Sequence, residues 1–368
     1  MSKNVESLSL KPKELAQGVR HCVRMGRPAF VWGPPGIGKS QILKQIASDL
    51  GMGFVDIRLS QMDATDLRGI PYPTTDAEGE NTMRWAPPAM LPKDPNAKTL
   101  ILLDEMNSAA PSIQAGAYQL VLDRRLGEYV LPEGCMVIAA GNRDTDKGTT
   151  FKMAKPLQNR FVHLEMRHDF DDWQEWALMS EINQHVVGYL TFQKSELFEF
   201  DPGSSSKAFP TPRSWEFVSD LLKDDPNLPH QVMTGLIAGA VGDGVAAKFL
   251  EYKENAEKLP NPSDILSGKV TELKNAKVSL CYSLTTGLCY ELKQAYEKAE
   301  RENDKKAMEE WHTQSDRFLT FLMGNFQPEM TILGARTALA LFRLPFEPSK
   351  MKSWDKFADK YEDLILKA

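Results

Sequence analysis

The chain has 368 residues, 42% of them hydrophobic and 26% charged, with a formal net charge of −6. That length exceeds one ordinary core and suggests roughly two or three domains of a globular protein. The acidic balance argues against extensive wrapping of nucleic acid, and no apolar run approaches the ~18 residues that a membrane span requires. Met1–Leu10 mixes Ser, Lys, Asn and Glu without the apolar stretch of a signal peptide. Cys22, Cys135, Cys281 and Cys289 show no metal-ligand spacing, so reduced, mostly buried thiols and a cytoplasmic location are the expectation.

Residues 1–10 read as a loose tail. Lys11–Met25 is an expected helix, with Pro12 in its first turn, Leu15, Val19, Cys22 and Val23 on one face, and Gly26 ending it. Pro28–Trp32 is a short apolar run of the kind that forms a buried strand. After it comes Gly33-Pro34-Pro35-Gly36-Ile37-Gly38-Lys39-Ser40, and then Gln41–Leu50 with helical spacing of Ile42, Leu43, Ile46, Ala47 and Leu50. Gly, four residues, Gly-Lys-Ser between a strand and a helix is the phosphate-binding loop pattern in the context that it needs. Its glycines let backbone N–H groups turn in around phosphate oxygens, and the helix start adds its positive dipole end. Gly33–Gln41 is therefore the expected nucleotide-binding set, with Lys39 on the β- and γ-phosphates and the Ser40 hydroxyl on Mg²⁺. The helix before the first strand either covers the adenine or simply packs.

Phe54–Leu59 reads as a second strand. Residues 61–95 then hold too many prolines and glycines for a plain connection and are expected to form an insertion on a short helix. Trp85 within it either packs locally or contacts a partner. Lys98–Glu105 carries four consecutive apolar residues, as a strand buried on both faces does, and ends in Asp104-Glu105 at the carboxyl end, where a doubly wound sheet places its ligand site. Asp104 is positioned to hold Mg²⁺ through its water shell, and Glu105 to polarise an attacking water. Ala110–Leu122 is helical, Asp123–Pro132 looks like a hairpin, and Cys135–Ala140 is another apolar strand ending in Gly141-Asn142. Asn142 can orient the same water, or it can be turn chemistry. Arg160 precedes a fifth strand, Phe161–Glu165, either as a helix-end charge or as a side chain that projects to a neighbouring subunit.

Gly33–Ser40, Leu100–Glu105, Gly141-Asn142 and Asn159-Arg160-Phe161 come in the order of Walker A, Walker B, sensor 1 and arginine finger, and here the chain resembles the AAA+ ATPases. Thr211-Pro212-Arg213-Ser214, heading an amphipathic helix with Trp215, Val218, Leu221 and Leu222, looks like their sensor 2 motif. The insertion after the second strand and the hairpin before sensor 1 look most like the MoxR branch, which includes RavA, the CbbQ and NorQ activases and the dynein-like group. The resemblance covers roughly residues 12–250. It implies an α/β fold: an AAA+ P-loop NTPase core with a parallel five-stranded sheet over residues 11–167, then a helical lid over 168–257; the helical pattern of the sequence itself adds an all-helical C-terminal region over 264–368. His168–Met179, Glu181–Leu190, Thr211–Lys223 and Gln231–Tyr252 are the expected lid helices. The glycines of Ala238–Gly244 suggest close helix packing, and Lys258–Ser263 is a linker. Beyond it, helices are expected over Val270–Glu297, Asn303–Met323, Glu329–Phe342 and Ser353–Leu366, with the charge run Lys298–Lys306 as a solvated face or turn.

The resemblance further implies an enzyme that hydrolyses ATP with Mg²⁺ at the subunit interfaces of a ring, usually a hexamer, in order to remodel or activate a protein client. Arg160 would act from the adjoining subunit and Arg213 would sense the γ-phosphate from the lid. Relatives in that branch often act with a von Willebrand factor A-type partner. A nucleic-acid motor or loader is the alternative, disfavoured by the acidic balance and by the lack of a nucleic-acid module.

Overall fold

The structure, a computed structural model, describes residues 9–146, 150–224, 228–273 and 277–365. Leu366, the expected last residue of the final helix, lies outside them. The chain divides into two compact units, one of residues 1–172 with 200–205 and one of residues 173–199 with 206–368.

The first unit is built on a parallel sheet of six strands among the described residues. Its strands are β1 (Ser9–Leu10), β2 (Ala29–Trp32), β3 (Gly53–Arg58), β6 (Thr99–Asp104), β9 (Met136–Gly141) and β10 (Val162–Met166), in the order β1-β10-β2-β9-β6-β3. The apolar runs dictate which strands lie inside. Leu100–Leu103 of β6 and every residue of β9 are buried, as strands covered by helices on both faces must be. Connections run through α1 (Pro12–Arg24), α2 (Lys39–Asp49), α3 (Ala64–Arg68), α4 (Pro111–Asp123) and α5 (Lys155–Gln158). Leu15, Val19 and Cys22 form the buried face of α1, as their spacing requires.

The expected five-stranded sheet thus gains a sixth strand from residues expected to be a loose tail. Ser9 and Leu10 pair with Glu165 and Met166, and Arg167 N donates to Leu10 O at 3.0 Å. A two-residue edge strand is held by backbone pairing alone and has no side-chain period to read.

Residues 61–95 hold more order than an irregular insertion. After α3, Gly69 turns the chain with a φ of 89°, and β4 (Ile70–Thr75) pairs antiparallel with β5 (Asn81–Ala86). A Cβ at Gly69 would stand 2.0 Å from Ala86 O, so only glycine fits. Trp85 is half-buried and lies beside Gly127, which turns between β7 (Arg125–Leu126) and β8 (Tyr129–Val130). Local packing accounts for it.

The second unit is helical: the greater part of α6 (Phe170–Met179), then α7 (Gln184–Phe192), α8 (Pro212–Asp224), α9 (His230–Val241), α10 (Asp243–Ala256), α11 (Pro262–Leu266), α12 (Val278–Glu302), α13 (Lys305–Asn325), α14 (Pro328–Arg336) and α15 (Trp354–Ile365). Trp215 packs among Tyr189 and Phe249, and its indole N–H donates to Glu196 O at 2.8 Å. Tyr290 Oη on α12 donates to Ile182 O at 3.0 Å. Helix α12 starts at Val278 where the pattern suggested Val270. The charge run is the α12–α13 turn: Asn303 takes a left-handed φ of 50°, and Asp304 accepts from Lys306 N and Ala307 N.

Gln231–Tyr252 is two helices, not one. Gly242, at φ 88° and ψ 153°, ends α9 and starts α10. Close packing does not explain the other glycines, because a Cβ on Gly235, Gly239 or Gly244 would meet nothing within 4 Å. Gly242→Ala is expected to lower stability by about 1–3 kcal/mol, since that backbone region is open essentially to glycine alone. Gly239→Ala is expected to raise it by about 0.5–1 kcal/mol through helix propensity. Urea unfolding of both variants checks the pair, and equal effects would contradict the break at Gly242.

Candidate nucleotide site

The strand order sets β2, β9 and β6 side by side with their carboxyl ends on one edge, and Trp32 is in register with Gly141. The loop Gly33–Gly38 leaves β2 there and runs into α2. Gly36 (φ 75°) and Gly38 (φ 92°) take left-handed conformations that a side chain would resist. A Cβ on Gly33 would meet Met166 O at 3.0 Å and Ile37 Cδ1 at 2.7 Å. Pro34 and Ile37 are buried, and Pro35 is half-buried. Gln41 is exposed in the first turn of α2.

Lys39, only 9% exposed, donates to Gly33 O at 2.7 Å, Pro34 O at 3.0 Å and Asn142 Oδ1 at 3.1 Å. Ser40 Oγ donates to Asp104 Oδ2 at 2.7 Å. Direct hydrogen bonds therefore join Lys39 to Asn142 and Ser40 to Asp104, residues spread over 104 positions of sequence from 39 to 142. Asp104 Oδ1 accepts from Glu105 N at 2.8 Å, and Glu105 itself adopts a left-handed φ of 55°, uncommon for a residue with a side chain. Burial pushes the Asp56 carboxyl up, and the negative charges of Asp104 and Glu105 add to that, against the pull of Arg58. The edge is thus a place where a cation is favoured.

Three residues here escaped the sequence reading. The Ser60 hydroxyl donates to Glu105 Oε2; its one signal is that it follows the strand beside β6. Asn107 is 2% exposed, and its Nδ2 donates to Asn142 O at 2.8 Å. A Cβ on Gly141 would stand 2.2 Å from Asn107 Oδ1, so the glycine before Asn142 makes room for this contact. His163 accepts from Trp32 Nε1 at 2.9 Å through Nδ1, which makes Nε2 the donor to Gln158 O at 2.8 Å. The strand that feeds the phosphate loop is thereby tied to the segment before Arg160.

Arg160 is exposed and forms no ion pair among the described residues. Arg213 is exposed near the start of α8, in the second unit.

A glycine loop between a central strand and a helix, a serine bonded to a strand-end aspartate and an adjoining glutamate define a P-loop nucleoside triphosphatase. Residues 29–166 match the family described as "ATPase family associated with various cellular activities (AAA)", so this segment is an AAA ATPase domain, which supports an ATP hydrolase as the enzyme class. The chain is similar to Midasin of Giardia intestinalis, at 29% identity over 190 residues, covering 49% of this chain and 4% of that protein. It is also similar to Midasin of Dictyostelium discoideum, at 34% identity over 119 residues, covering 32% of this chain and 2% of that protein. Among solved structures, the RuvB Holliday junction branch migration motor of Thermotoga maritima aligns with a TM-score of 0.36 at 14% identity, over 72% of this chain and 77% of that one.

Asn107→Leu keeps the volume but removes the donor that holds the Asn142 carbonyl. Displacing Asn142 by an ångström is expected to lower ATP turnover about 10–100-fold. Nucleotide affinity should stay close to that of the parent, because Lys39 and the loop remain. Phosphate release measured beside binding of a fluorescent ATP analogue checks it, and unchanged turnover would remove Asn107 from the machinery.

Proposed function

We propose that this chain works as a ring-forming AAA+ ATPase of the MoxR and dynein-related branch, which hydrolyses ATP at subunit interfaces to remodel or activate a protein client. The observation that carries the reading is two hydrogen-bonded pairs on one sheet edge, Lys39 with Asn142 and Ser40 with Asp104, with Glu105 adjoining. In that reading residues 11–167 are the nucleotide-binding core, 168–257 the lid and 264–368 an accessory helical region. Among the described residues no helix is long and apolar enough to cross a membrane.

Phosphoryl transfer asks for positioning and charge more than covalent work. Lys39, now on the Gly33 and Pro34 carbonyls, turns to the β- and γ-phosphates when nucleotide enters. Ser40 and Asp104 are two hard oxygen donors already in contact, and together they fit Mg²⁺, which neutralises phosphate charge when bound. Glu105 and Asn142 place the attacking water. The Ser60 hydroxyl donates to Glu105 Oε2, which orients the carboxylate and leaves Oε1 to accept from the water. Arg213 senses the γ-phosphate. Exposed and without an ion pair among the described residues, Arg160 is available to complete a neighbouring subunit's site, a contribution of about 10³-fold or more in rate. A von Willebrand factor A-type partner belongs to the same proposal.

Lys39→Ala should abolish ATP binding while leaving the circular dichroism of the parent; unchanged affinity in equilibrium dialysis would sink the loop assignment. Glu105→Gln should bind ATP and lose most turnover, and Arg160→Ala should do the same. In mixtures of these last two variants, some interfaces pair an intact Glu105 with a neighbour's intact Arg160. Part of the activity should return, with mixed assembly verified by sizing in ATP. No recovery in verified mixed rings would reject the shared site, and stimulation by DNA or RNA would favour a nucleic-acid motor.

A further inference from the structure

The hairpin β4–β5 is a two-stranded sheet with two outer edges, and these differ in what they offer. In an antiparallel ladder, alternate pairs exchange N–H···O bonds, and the pairs between them turn those groups outward. Asp76 N donates to Glu80 O at 3.0 Å beside the turn, which fixes the parity of the whole ladder. With Pro73 opposite Met83 and Pro71 opposite Trp85, the outward positions are Pro71, Pro73 and Thr75 on β4 and Asn81, Met83 and Trp85 on β5. Proline has no N–H, so the outer edge of β4 lacks two of its three donors. That edge is closed to strand addition by a device natural sheets use, whereas the edge of β5 keeps every donor and acceptor.

The surroundings suit an extended peptide. Ile70 (67% exposed), Tyr72 and Met83 (62%) leave apolar surface on the hairpin. At its base a cavity of about 470 Å³ is lined by Met62, Ile70, Ala86, Pro87, Pro88 and Met90, among others. The cavity wall is continuous with the sheet through the paired Ile70 and Ala86. The turn at the other end is acidic, with Asp76, Glu78 and Glu80.

We propose that the outer edge of β5 captures an extended segment of a protein partner as an added strand, with apolar side chains along the hairpin and basic residues against the acidic turn. Main-chain bonds supply affinity and alternate side chains supply selectivity, as in other cases of strand addition. Antiparallel pairing is the more stable kind and brings the C-terminal end of the segment to the turn. The inference extends the remodelling reading by naming how a client is held. Its test reads binding alone, so failed capture and failed ATP turnover are separate results.

The probe is a fluorescein-labelled peptide, Thr-Val-Thr-Val-Thr-Val-Lys-Lys, titrated with the full chain by anisotropy without nucleotide. Met83→Pro removes the central outward donor of β5 and spares the ladder bonds, so it should weaken capture about tenfold or more. Basal ATP turnover should be unchanged. On the unaltered protein, N-methylating alternate peptide residues should abolish capture for one set and leave the other set near the parent. That comparison decides the matter even if Met83→Pro disturbs the hairpin. Replacing both lysines by glutamate should weaken binding in low salt. Failure of the peptide to bind, or equal binding of both methylated sets, overturns the proposal. Concentration-dependent dimers that Met83→Pro dissolves, with no peptide capture, would assign the edge to a second copy of the chain and also overturn it.

Discussion

Parallel pairing of β2, β9 and β6 is the constraint on which the rest of the first unit depends. It buries three apolar strands against one another and sets their carboxyl ends, with everything polar that follows them, on a single edge. The consequence is chemical as well as architectural. A lysine at the start of α2 and a serine after it find an asparagine beyond β9 and an aspartate at the end of β6 at hydrogen-bonding distance. A slip in the pairing of β9 would carry Asn142 away from Lys39.

Around that edge, glycine marks where backbone or side chains must come close. Gly38 permits the left-handed start of α2, Gly33 lets β2 pass Met166, and Gly141 leaves space for Asn107. Glu105 does the reverse and holds a left-handed conformation with a side chain attached, its carboxylate bonded to Ser60. Strain of that kind is costly and persists only where the surroundings over-determine it. The Ser60 bond orients that carboxylate from within its own chain.

The two hairpins of the first unit show how an insertion can be ordered without a core of its own. Gly69 and Gly127 turn the chain, Trp85 leans on the second hairpin, and prolines at 71 and 73 fall where the ladder needs no donor. In the second unit, two buried indoles have their polar ends satisfied by backbone carbonyls: Trp215 on Glu196 O, and Trp311 on Leu292 O.

Much of this was legible in the sequence because it is local. The phosphate loop needs particular residues at fixed spacing between a strand and a helix, and a strand covered on both faces must be apolar throughout, so the loop, β6 and β9 and the Asp104-Glu105 pair could be read directly. The lone glycine at 242 could not be told from its helical neighbours, since its backbone angles, and not its composition, break the helix. Ser9–Leu10 carried no period, because backbone pairing alone makes it a strand. Ser60, Asn107 and His163 were silent for a different reason. Each acts through a contact between segments far apart in sequence, and only the packed sheet decides which hydroxyl, amide or ring stands within about 3 Å of which partner.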